Sequence, residues 1–138
     1  MQYVKDKYRG KTVYFHVLAE LVRAAQYRGS TTYQDIAVIM GLLTTGAHMG
    51  KETGHILGEI SEDEMAAGRP MLSSVAVGVN GKPGSGFFGL ARDLGLLQTG
   101  EDEKDFWQRQ REDVYQAWKR PLPKTKKNIL RCQAPDLT

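Results

Sequence analysis

Apolar residues recur at helical spacing over residues 12–28, TVYFHVLAELVRAAQYR. Tyr14, Leu18, Leu21, Val22 and Ala25 share one side, and Gly29 stops the run. A shorter segment, STTYQDIAVIMG, repeats the pattern with Ile36, Ala37, Ile39 and Met40. Thr31 is its expected N-cap, Gln34 completes a capping box, and Gly41 ends it before the turn LLTT. A third helix is predicted from about residue 45 to 60, TGAHMGKETGHILGEIS. Its Met49, Thr53, Ile56, Leu57 and Ile60 form one mainly apolar arc, and its His48, Lys51, Glu52, His55 and Glu59 form the opposite polar arc. Between the arcs, Gly46, Gly50, Gly54 and Gly58 recur at a strict four-residue spacing. Each glycine inside a helix costs about 1 kcal/mol relative to alanine. A stripe of them implies that something approaches that border closely. A neighbouring helix is the commoner reason, and a nucleic-acid strand is the other.

Ser61-Glu62-Asp63-Glu64 reads as another capping box and opens a separate helix of one or two turns, closed by Gly68. The segment RPMLSSVAVGV is extended in character. Asn80-Gly81 signals a turn, KPGSG prolongs the loop, and together they predict a strand and hairpin. FFGLARDLGLL is a short helix closed by Gly95. Residues 103–118 form an amphipathic helix with Phe106, Trp107, Val114, Tyr115 and Trp118 on its buried side. A short helix, a turn, a longer helix with a polar face and then a hairpin is the order of a winged helix-turn-helix. The predicted fold class is mainly α with a small β element. The expected organisation is a basic segment 1–11, a single winged-helix-like domain 12–120 and a flexible basic tail 121–138.

The net charge of +3 hides an asymmetry. Residues 1–11 carry four basic and one acidic side chain, residues 12–118 carry nine and fourteen, and residues 119–138 carry six and one. Both ends are positive and the body is acidic. A body with so few cations counts against strong non-specific DNA binding by the body alone, so the basic ends are expected to supply sequence-independent affinity. The single cysteine, Cys132, leaves no internal disulfide and no cysteine-based zinc site, which fits a reducing cytoplasm. No signal peptide is recognisable, and no apolar run approaches the roughly 20 residues of a membrane span.

No catalytic constellation stands out. His48 and His55 are seven residues apart, too far for the usual i, i+4 zinc pair, and with His16 they complete the histidines. Helix N-terminal preference accounts for Glu62, Asp63 and Glu64. Ser73 and Ser74 have no histidine nearby in sequence and no GxSxG context. The loop NGKPGSG lacks the lysine-Ser/Thr ending of a phosphate loop. Trp107 and Trp118, three turns apart on one face, read as core.

The order of these pieces resembles the winged-helix domain of O6-alkylguanine-DNA alkyltransferases and alkyltransferase-like proteins. That family has an aromatic-rich helix, a glycine and a Thr-Tyr-x-x-Ile-Ala helix, matched here by FHVLAELVRAAQYRGSTTYQDIA with Thr32-Tyr33-Gln34-Asp35-Ile36-Ala37. Its recognition helix corresponds to Gly50-Lys51-Glu52-Thr53-Gly54-His55-Ile56-Leu57. Its Pro-Cys-His-Arg strand and glycine hairpin correspond to Leu72-Ser73-Ser74-Val75 and to residues 80–86. The resemblance covers residues 13–97. Ser73 and Ser74 stand where the family has its nucleophilic cysteine and activating histidine, and a serine without a base is a poor alkyl acceptor. Lys51 stands where the alkyltransferase-like relatives have an arginine finger, without that residue's planar guanidinium. The expectation is therefore a non-enzymatic DNA-binding protein, without metal or cofactor, that takes duplex DNA and senses modified or damaged bases. Its expected contacts are Thr32, Tyr33, His48, Lys51, Glu52, His55, Ser73, Ser74 and Lys82, with Tyr33 on a phosphate as the resemblance implies. The alternative is a protein–protein interaction module that uses the glycine-striped helix and the acidic surface.

Overall fold

A computed structural model describes residues 3–120; the expected tail 121–138, Cys132 included, lies outside the described residues. The first helix, α1 (Thr12–Gln26), buries Tyr14, Val17, Leu21, Ala24 and Ala25. A two-residue strand, β1 (Thr31–Thr32), leads directly into α2 (Tyr33–Met40). The α2 cap lies one residue beyond the expected position. The Thr32 hydroxyl accepts from the Asp35 N–H, and the Asp35 carboxylate accepts from the Thr32 N–H. Thr31, the expected cap, is instead buried. Gly41 closes α2 in the left-handed conformation, φ +75°, as its position suggests.

The glycine-striped helix, α3 (Ala47–Ala66), is longer than its sequence signals suggest. No second helix starts at Ser61. Its hydroxyl donates to Ser73 Oγ (2.7 Å) and accepts from the Ser73 N–H (3.0 Å), so it serves a distant turn in place of a local cap. Ile56, Leu57 and Ile60 before the expected break and Ser61, Glu62 and Glu64 after it are all buried, and the helix runs unbroken to Ala66, two residues before Gly68, φ +81°.

The expected hairpin is replaced by a parallel pair. Leu72–Val75 form a turn of 3-10 helix, followed by β2 (Ala76–Val77), which pairs with β1 in the register Thr31↔Ala76, Thr32↔Val77. The turn at Asn80-Gly81 does form. The Gly78 N–H donates to Lys82 O (2.8 Å), but α4 (Ser85–Asp93) follows in place of a returning strand. Residues 71–77 are buried throughout, and the indole N–H of Trp107 donates to Ser74 O (2.9 Å). That burial selects a buried crossover over an exposed wing.

The last helix, α5 (Glu103–Trp118), is capped by Asp102 and buries Phe106, Trp107, Val114 and Tyr115. One core joins α1, α2, α3, the 3-10 turn and the end of α5. A second joins Phe87 and Ala91 of α4 to Met71, Leu97, Phe106 and Trp107. The described residues are thus mainly helical with a small parallel sheet, and no helix among them is long and apolar enough to cross a membrane.

Candidate functional site

The faces of α3 meet different surroundings, and this decides the fate of each candidate residue. Its polar arc stands in solvent only at His48 and Lys51; Glu52, His55 and Glu59 are covered. Residues 3–9 lie across it as a strap. Glu59, fully buried, accepts from the consecutive N–H groups of Lys7 (3.2 Å), Tyr8 (3.1 Å) and Arg9 (2.9 Å). Three successive backbone donors around one carboxylate form an anion-binding nest. Glu62 accepts from the N–H groups of Tyr3 (2.5 Å) and Val4 (3.3 Å) and from Arg9 (2.6 Å). The Arg9 guanidinium also reaches Asp63 (3.0 Å) and Asp6 (2.6 Å). Glu52 binds Lys7 (2.5 Å) and the Tyr8 hydroxyl. Lys7 and Tyr8 hold the Glu52 carboxyl down at about 2. Burial, then the Glu52 hydrogen bond, pushes Tyr8 up to about 12.

The glycine border, by contrast, is open. The Cβ of an alanine at Gly50 or Gly54 would meet nothing within 4 Å, so internal packing accounts for neither glycine. Gly46 is the N-cap at φ +94°, a conformation L residues rarely adopt. Only Gly58 is tight: an added Cβ would lie 3.3 Å from Val4 Cγ2 and 3.9 Å from Leu90 Cδ2. The stripe thus has a local cause at Gly46 and another at Gly58, and none within the described residues at Gly50 and Gly54.

The open part of this border forms one wall of a groove of about 550 Å³. Gly50, Gly54 and Gly58 of α3 line it together with Gly84, the N-cap of α4, and Gly86 and Gly89 within α4. Leu57, Phe87 and Leu90 make it mainly apolar. Thr53, Ser73, Asp93 and the Tyr33 hydroxyl bring polar atoms, and Tyr3 and Val4 of the strap line it as well. The Tyr33 hydroxyl accepts from the Gly84 N–H (2.7 Å), fixing the start of α4 against the start of α2. Burial raises the Tyr33 pKa, against the smaller opposing effect of the Gly84 N–H.

The structure therefore divides the predicted set. Tyr33 and Ser73 converge on the groove, and Lys51 is exposed on the turn of α3 that carries Gly50 and Gly54. His48 is exposed one turn earlier, and Lys82 is exposed on the 78–82 loop; neither lysine has an ion-pair partner among the described residues. Thr32 is spent as the α2 cap. Two of the expected contacts are engaged by the strap. Glu52 is 4 % exposed and held as described. His55 places Nε2 2.8 Å from Lys5 O and its ring edge-on to Tyr8. Ser74 is fully buried, and its hydroxyl has no partner among the described residues. Glu52 was misplaced because a polar arc on an amphipathic helix reads as solvent-facing unless another segment is known to cover it.

The strap and the α4 glycines escaped sequence reading. The available signal for the strap was Tyr3, Val4 and Tyr8, three apolar-bodied residues in an otherwise charged segment, opposite a helix rich in carboxylates. Among the described residues no group of three or more His, Cys, Asp or Glu is placed to hold a metal ion. No family model, curated protein or solved structure matches the chain.

Proposed function

We propose that this protein is a non-enzymatic DNA-binding protein of winged helix-turn-helix type, and that the exposed start of α3 and the groove beside it form its contact surface. The observation that carries the reading is the bare face of α3. A short capped helix and a turn present a longer helix whose first turns expose His48, Gly50, Lys51 and Gly54, with open space over both glycines. A recognition helix makes its base contacts from such N-terminal turns. A glycine face lets a sugar-phosphate strand come closer than any side chain would allow.

Lys51 and Lys82 supply backbone-directed charge. Tyr33 and Ser73 offer hydroxyls to a base or phosphate in the groove, which supports sensing of a modified base. Lys7 and Arg9 are committed to α3 carboxylates, so the N-terminal segment supplies fewer free cations for DNA than its composition suggests.

Absence of alkyl transfer is supported by local chemistry. Ser73 Oγ is paired with Ser61, and the hydroxyl of Ser74 is buried without a base beside it. A serine becomes a nucleophile through an adjacent base.

The test is titration of labelled duplex, single-stranded and base-modified DNA with wild type and Lys51→Ala across a salt series. The reading expects duplex binding that falls steeply with salt, and a slope smaller by about 1 in Lys51→Ala. Absence of binding to all three DNAs at low salt overturns it.

A further inference from the structure

We propose that residues 3–9 are a releasable strap that closes one end of the α3–α4 groove. Tyr3 and Val4 line the groove, and Val4 sits over Gly58, the one stripe glycine with no free space. Leu57 and Leu90 line the same groove, and Leu90 Cδ2 lies 3.9 Å from where a Cβ on Gly58 would stand, beside Val4.

The attachment is polar in kind. Its contacts are the nest on Glu59, the Tyr3 and Val4 N–H groups and Arg9 on Glu62, and the Lys7 and Tyr8 contacts with Glu52. Asp63 and Asp6 flank Arg9, and His55 faces Glu59 at 3.6 Å. Burial contributes less: Tyr3 is 49 % exposed, Lys5, Asp6 and Lys7 are exposed, and the segment has no helix or strand of its own. It joins α1 through Gly10, φ +79°, two residues before the first helical residue, Thr12. A segment held by side-chain carboxylates and backbone donors, outside both apolar clusters except for the half-buried Tyr8, opens at lower free energy than the helices beneath it.

The strap therefore sets the length of the groove. Closed, it limits the occupant to what fits between Gly50 and Val4. Open, it uncovers the Gly58 turn of α3 and lengthens the groove by that turn. This deepens the reading of the groove as the contact surface, but it is tested without DNA, so the two fail separately.

The experiment is hydrogen exchange on the full chain, followed peptide by peptide, together with titration of an anilinonaphthalene sulfonate dye. Wild type, Arg9→Gln and Gly58→Ala are compared. Arg9→Gln removes the guanidinium latch, and Gly58→Ala pushes Val4 outward without changing any charge. In wild type, the amides of residues 7–9 are expected to exchange at least roughly tenfold faster than those in the middle of α3. Both variants are expected to raise that rate and the dye fluorescence, with α1 and α5 unchanged. Wild-type strap amides that exchange only with the α3 core would overturn the proposal, and that arm stands even if a variant fails to fold. Faster strap exchange with no gain in dye binding would equally overturn it, since the strap would then not wall the groove.

Discussion

The two borders of α3 carry opposite solutions to the same problem. On one, Glu52, Glu59 and Glu62 are taken out of water and satisfied by a segment some fifty residues away in sequence. On the other, Gly50 and Gly54 are left with nothing over them at all. The acidic border looked like the business end because it is polar, and the glycine border looked like packing because it is small. The structure covers Glu52 and Glu59 with the strap and leaves Gly50 and Gly54, though not Gly58, without a packing neighbour. A carboxylate on a helix is a surface group only if no donor array is folded against it. A glycine is a packing residue only if something is within reach of its missing Cβ.

The sharpest way to break this comparison is at Glu59. Its buried carboxylate receives three backbone N–H groups, so Glu59→Ala removes the centre of the nest. The expected loss is about 3 kcal/mol, read as a fall in denaturation midpoint. If Glu59→Ala is neutral, the acidic border is solvated and the contrast disappears.

Acid should act in the same direction. The Glu52 carboxyl is held at about 2 against an ordinary value of 4.5, so its charged form is favoured by the fold. That contribution is complete above about 4.5 and is lost as pH falls from about 4.5 towards 2. Thermal stability of wild type should drop across that window more than that of Glu52→Gln. Equal acid sensitivity would remove Glu52 from the latch.

The glycines give a smaller effect of opposite sign. Gly50→Ala and Gly54→Ala place a methyl in open space and should each stabilise the fold by about 1 kcal/mol. Gly58→Ala meets Val4 at 3.3 Å and should show less of that gain or none. A destabilised Gly54→Ala would mean that the groove is filled by packing.

Much of this architecture can be read from the chain. The periodicity of residues 12–28 and 103–118, the Gly41 and Gly68 stops and the Asn80-Gly81 turn are local signals, and each is met by a local structure. Failures occur where a distant residue intervenes. Ser61-Glu62-Asp63-Glu64 has the composition of a cap, yet Ser73 and Arg9 claim Ser61, Glu62 and Asp63 from afar, Arg69 pairs with Glu64 from five residues on, and the helix runs on. The expected extended run breaks into a 3-10 turn at Ser73-Ser74 because Trp107 and the pairing with Thr31-Thr32 fix it inside the molecule. At the candidate site, Tyr33 and Ser73 were legible through the resemblance. The glycines on α4 were not, because a groove belongs to two helices and no single periodicity displays it.

The account rests on the bare border of α3 being the surface that meets DNA. The direct measurement is duplex affinity of the Gly50→Ala/Gly54→Ala double variant, by fluorescence anisotropy, beside its melting temperature. Two methyl groups should block close approach of the strand and weaken binding by roughly tenfold or more, while the melting temperature holds or rises. Undiminished affinity in a folded double variant would contradict the account.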